Sequence, residues 1–274
     1  MTSDQTGAAD SYAHPRSIAE LREVTQPPEV RQRVNAEHWT AHLYLRDLSP
    51  YLTWLLLKTR ISANGVTTLM ILTGWATAAV LAIPGIWGAV LAVVLGQLQM
   101  LVDCCDGEVA RWRRTSSPSG HFLDAVGHYT TELFIALMLG VRAFGYPFDA
   151  PADLLWTTLA LSLAVLILFN KALNDLVRVA RAYAGLGKLG ADRAEGVPQH
   201  RFIALARKAV KFFPFHRMFH SVELTLVTFA VAVLALFTGS PATERVYLVV
   251  LVILAFFAVI GHFVAIMSSS RLRS

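Results

Sequence analysis

The sequence predicts an all-α protein that crosses a membrane several times. Of 274 residues, 55% are hydrophobic and only 16% are charged. The mean hydropathy is +0.50. Several apolar runs reach about 20 residues, the length that spans a bilayer core. A soluble domain of this size carries more charge. The net charge of +5 is not read as a nucleic-acid footprint. In a membrane protein, basic loops face the cytoplasm and anionic headgroups.

Three regions follow along the chain. Residues 1–28 are polar, with Pro15, Pro27 and Pro28 and no sustained apolar period, which predicts a flexible or loosely helical tail. No charged-then-apolar leader precedes it, so no cleaved signal peptide is expected. Residues 29–58 interleave Trp39, Leu43, Leu45, Leu48, Leu52 and Leu55 with Arg31, Arg33, Arg46 and Lys58. That pattern predicts an amphipathic helix lying in the membrane interface, broken near Ser49-Pro50. Residues 59–274 carry the apolar runs.

The first span is expected over about Asn64–Ile83, capped by Ser62 or Asn64. Pro84-Gly85 marks a tight turn. The second span covers about Ile86–Cys105, with Gln97 and Gln99 available for bonds between helices. A third is expected over about Gly120–Gly140 and a fourth over Leu154–Ala172, with a helical extension beyond it. The stretch from Lys171 to Arg217 is rich in Lys, Arg and Gly. It predicts a basic loop with a second interfacial helix near Arg201–Phe215. The last two spans are expected over Val222–Phe237 and Val246–Met267.

Basic residues cluster before the first span, at Arg111–Arg114, in the 178–217 loop and at Arg271 and Arg273, while the alternate turns carry few. Six spans with both termini inside satisfy this bias.

The chemistry concentrates between Asp103 and His128. Asp103 and Asp106 are three apart and share one helical face. Gly120, Asp124 and His128 recur every four residues and form a ladder on one face. Two such faces brought together would surround one pocket with three carboxylates and an imidazole. Clustered carboxylates beside a membrane repel one another unless cations neutralise them or they line a wet cavity. The two cysteines, Cys104 and Cys105, are adjacent and read as small filler side chains in a reducing compartment. They lack the ligand number and spacing of a zinc site.

This segment resembles the signature of the CDP-alcohol phosphotransferase family. That signature is Asp, two residues, Asp-Gly, two residues, Ala-Arg, eight residues, Gly, three residues, Asp, three residues, Asp. Asp103, Asp106, Gly107, Ala110, Arg111, Gly120 and Asp124 match in order. His128 stands where the family has its fourth Asp. Asn64 and Thr67 match a further family landmark ahead of the first span, without its Pro.

The resemblance implies an integral membrane transferase of phospholipid biosynthesis, its site at the cytoplasmic face. It would move a phosphatidyl or related phospho-alcohol group from a CDP-activated donor, CDP-diacylglycerol foremost, to an alcohol and release CMP. Asp103, Asp106 and Asp124 would hold Mg²⁺ or Mn²⁺, as two ions bridging carboxylates and pyrophosphate. Gly107 and Ala110, with Gly120, would let the nucleotide approach the backbone. Arg111 would pair with phosphate or with a motif carboxylate, or else snorkel at the interface. In the family the fourth Asp is the proposed base. His128 therefore has three readings: a substituting base, a changed metal site with another base, or the mark of an inactive member. Glu132, four residues on, is expected to orient the His128 ring.

Lys171, Asn174, Arg178 and Arg181 recur at spacings of three and four and are candidates for the acceptor, an alcohol or a phosphorylated polyol. Ordinary positive-inside charge is the alternative for each. Members of this family often form homodimers. Two other functions remain open: a silent lipid- or nucleotide-binding membrane protein, and a transferase using a soluble CDP-activated alcohol. A transporter is disfavoured because the ionisable cluster lies near one membrane face rather than at the midplane.

Overall fold

A computed structural model describes residues 14–31, 40–145, 154–187, 217–240, 242–269 and 272. Among these the protein is all helical, with six helices long and apolar enough to cross a membrane. The spans are α4 (Ala63–Leu81), α5 (Gly85–Trp112), α6 (Pro118–Phe144), α7 (Leu154–Tyr183), α8 (Ser221–Thr238) and α9 (Ala242–Met267). Ahead of them lie α1 (Ile18–Thr25), α2 (Pro28–Arg31) and α3 (Arg46–Leu57). It is a polytopic membrane protein of the expected class.

The spans begin and end for local reasons. Ser62, not Asn64, caps α4, its Oγ accepting from Gly65 N at 3.1 Å. Ser117 caps α6 in the same way, accepting from Gly120 N at 3.2 Å, with Pro118 in the first turn. The α4–α5 turn needs φ +73° at Gly85, which glycine adopts without strain. Helix α5 runs well past Cys105, so the whole segment from Asp103 to Trp112 is helical. Arg113 secures its end by donating to Thr59 O at 3.0 Å and to Ile61 O.

Helix α4 packs on α5 and α6, α6 on α7, α7 on α9, and α5 on α8. Close approach relies on small residues. A Cβ on Gly74 would lie 2.1 Å from Thr131 Oγ1, and one on Gly140 would lie 2.4 Å from Ala160 Cβ. The main core includes Leu81, Ile135, Leu139, Leu163, Ile167 and Leu251. A second cluster, with Val66, Met70, Val102, Cys105 and Val109, lies under the acidic segment. Cys104 and Cys105 are both buried and unbridged.

The N-terminal part departs from expectation in two ways. Residues 18–25 form a packed helix, with Leu21 and Thr25 fully buried against the bundle, rather than a loose tail. Ser17 and Glu20 start it: Ser17 Oγ accepts from Glu20 N, and Glu20 accepts from Arg16 N. Second, α3 is not broken at Pro50, which lies inside it, directly after a π-helical turn at Ala41–Leu45. Proline cannot donate to the carbonyl four residues back. Here Gln26 Nε2 fills that role, donating to Arg46 O at 2.7 Å.

Leu43, Leu48, Tyr51 and Leu55 are exposed, as suits helices resting in a lipid interface. The second interfacial helix expected near Arg201–Phe215 falls outside the described residues.

Candidate active site

Helices α5 and α6 run antiparallel and bring their two motif faces together at one end of the bundle. His128 Nε2 lies 3.2 Å from Asp103 Oδ1 and 3.4 Å from Asp124 Oδ1. One donor atom from each of Asp103, Asp124 and His128 fits within a mutual separation of 4.8 Å. All three side chains keep contact with solvent, at 23%, 41% and 27% exposure. The cluster is therefore a mouth, not a sealed core.

Asp106 stands beside it on α5. Its Oδ2 accepts from Thr67 Oγ1 at 2.8 Å. Thr67 is on α4, so that helix orients the second motif carboxylate. Gly120 also earns its place by proximity. A Cβ there would come within 3.2 Å of Asn64 Oδ1, so glycine lets the α6 start approach the α4 start.

Arg111 does something local reasoning did not anticipate. Its Nε donates to Thr25 O at 2.5 Å, at the end of α1. Its guanidinium folds over Gly107: a Cβ at Gly107 would lie 3.1 Å from Arg111 Nη1. Ala110 is half-buried on the same turn.

The expected Glu132–His128 pair does not form. Glu132 is buried, and its two oxygens are taken by Lys171 Nζ at 2.7 Å and His220 Nδ1 at 3.1 Å. The carboxylate is one helical turn along from His128 and is drawn to the Lys171 ammonium on α7 and the His220 ring just before α8. The partners that hold His128 are the motif carboxylates themselves.

The four acceptor candidates do not act as one set either. Lys171 turns inward to Glu132. Asn174 is exposed, Arg178 pairs with Asp175 on its own helix at 3.2 Å, and Arg181 Nη2 donates to Gly187 O at 2.8 Å. Tyr129 OH joins this layer by donating to Asp175 Oδ2 at 2.7 Å.

One buried carboxylate escaped the sequence reading. Glu108, inside the motif, is fully buried. It accepts from Gln26 Nε2 at 2.8 Å, Ser49 Oγ at 2.5 Å and Thr53 Oγ1 at 2.6 Å. Its partners Gln26, Ser49 and Thr53 lie 55 or more positions back in the chain, a separation that spacing within the motif does not encode.

The family model for CDP-alcohol phosphatidyltransferase matches residues 60–270. The chain belongs to the CDP-alcohol phosphatidyltransferase family. No curated protein matched it in a direct sequence search. The family moves a phosphatidyl group from a CDP-alcohol to an acceptor and generally depends on a divalent metal. The residues present fit such an ion. Two carboxylate oxygens and an imidazole nitrogen converge, and hard divalent cations take carboxylate oxygens readily.

Proposed function

We propose that the protein transfers a phosphatidyl group from CDP-diacylglycerol to an alcohol, releasing CMP. The observation that carries this reading is the meeting of Asp103, Asp124 and His128 at one solvent-facing point. Asp103, Asp106 and Asp124 hold the cation. When bound, it neutralises the donor pyrophosphate and the charge developing on the leaving CMP.

His128 takes the second of its three readings, as a ligand. Its Nε2 lies within 3.4 Å of an oxygen of both Asp103 and Asp124, so the three donor atoms form one group. Imidazole suits Mn²⁺ better than Mg²⁺, so Mn²⁺ is the favoured ion. The chain's own residues prepare the rest. Thr67 orients Asp106, and Gly107 with Ala110 keeps the helix backbone approachable. In the transfer, the acceptor hydroxyl gives its proton to solvent at the open mouth, its oxygen bonds to the phosphorus carrying the lipid, and the bond from that phosphorus to the CMP oxygen breaks, the electron pair leaving on CMP.

The test is CMP release from CDP-diacylglycerol by purified protein with a panel of alcohols and metals, beside a soluble CDP-alcohol as alternative donor. Release with Mn²⁺ supports the reading. Retained nucleotide binding with no release from any donor favours a silent binding protein. His128→Ala discriminates its roles. A ligand loses Mn²⁺ affinity by at least about tenfold, whereas a base loses turnover with metal binding intact. His128→Asp should move the preference from Mn²⁺ toward Mg²⁺; unchanged metal preference would argue against ligation.

A further inference from the structure

The family match begins at residue 60, yet the signature helix is held by residues well before it. Glu108 and Arg111 lie on the same turn of α5 as Gly107 and Ala110. Each reaches one of two adjacent residues at the end of α1. Arg111 donates to Thr25 O, and Glu108 accepts from Gln26 Nε2. Gln26 is nearly buried, at 5% exposure, and Thr25 is fully buried.

Gln26 is itself fixed from the other side. It donates to Arg46 O, the carbonyl that Pro50 leaves without a helical partner. Ser49 and Thr53 then complete the Glu108 carboxylate from α3. A carboxylate at this depth is tolerable only when fully bonded, so Glu108 ties α1 and α3 to the motif turn together. Arg111 depends on that tie. Thr25 O holds its Nε, and its Nη atoms lie across Gly107, where the donor nucleotide is proposed to approach.

We infer that the Thr25–Gln26 end of α1 is a strap that positions Arg111 for the donor, with Glu108 as its anchor. Glu108 and Gln26 are positioning residues: neither touches substrate, and both act through Arg111. The strap rests on the proposed donor reading. It belongs to the CDP-donor half of the reaction. The bonds named for Thr25, Gln26, Glu108 and Arg111 run among α1, α3 and α5.

The experiment uses full-length protein in lipid nanodiscs with Mn²⁺. Gln26→Ala and Glu108→Ala are compared with Arg31→Ala, which removes an exposed ion pair to Asp47 in the same N-terminal region. Donor KM should rise about tenfold in the first two, the scale of one lost charge-assisted contact. Acceptor KM and kcat should stay within about twofold, and Arg31→Ala should behave as wild type. The dissociation constant for CDP, measured by calorimetry, should weaken in parallel.

A purely structural role would lower the yield and Tm and leave the donor KM of the folded fraction unchanged; that result overturns the strap. So does an equal loss for donor and acceptor. If Glu108→Ala does not fold, Gln26→Ala decides, because Ser49 and Thr53 still satisfy Glu108 there. A wild-type protein that neither binds CDP nor releases CMP overturns the donor reading itself. Normal wild-type activity with unaffected variants overturns the strap alone.

Discussion

Glu132 sits at 3% exposure between a lysine and a histidine. A carboxylate this buried is stabilised only by its partners, and removing its charge strands Lys171. Glu132→Gln keeps the volume and removes the charge. It should cost about 3 kcal/mol, read as a lowered Tm in detergent. Adding Lys171→Met should recover most of that loss, because replacing both members of a buried pair removes the desolvation cost with the attraction. A double variant as unstable as the single would show that Lys171 has a further role. The same residue marks the limit of reading from spacing. A separation of four correctly places Glu132 on the His128 face, but the oxygens answer to whatever charge the next helix brings. Lys171 is 39 positions away in sequence, a distance that no periodicity encodes. The meeting of Asp103, Asp124 and His128 was legible because each helix repeats its polar residues on one face and the two helices are consecutive.

The elements repeat this contrast between local and distant causes. The spans were readable because a lipid environment demands long apolar runs with every backbone group bonded inside the helix. The α3 helix and α1 were misjudged because their stability comes from contacts across the chain. Pro50 breaks a helix unless another donor takes the freed carbonyl, and Gln26 supplies it. At the opposite end from the motif, Arg142 plays a comparable part. It donates to Ile83 O and Gly85 O at 3.0 Å each, to Leu81 O at 3.2 Å, and to Glu244. One side chain from α6 thus closes the end of α4, the turn into α5, and the start of α9. Arg142→Met should therefore destabilise the protein by about 3 kcal/mol, since it removes the charge partner of Glu244 and the guanidinium bonds to the Leu81 and Ile83 carbonyls. Thermal unfolding followed by size-exclusion checks it. A Tm within a degree of wild type would mean that water replaces the guanidinium without loss.

At the scale of the whole molecule, the bundle has one polar end that carries the carboxylates and one closed end, and the charge bias sets an expectation for which faces the cytoplasm. Lys58, Arg60, Arg113, Arg114 and Arg178 gather at the motif end. At the other end, Arg142 and Arg245 are absorbed by the fold: Arg142 as above, and Arg245 by donating to Ala143 O at 2.9 Å. The positive-inside bias follows basic residues near span ends, and the imbalance favours a cytoplasmic motif. A cytoplasmic site also meets the CDP-activated donor where nucleotides are available. Both native cysteines are buried, so introduced thiols report cleanly. A cysteine at Arg114, on the exposed turn after α5, should react with a membrane-impermeant maleimide only after cells are opened. A cysteine at Phe237, exposed at the far end of α8, should react in intact cells. The reverse pattern would put the carboxylate mouth outside, away from nucleotide, and the proposed transfer would lose its donor.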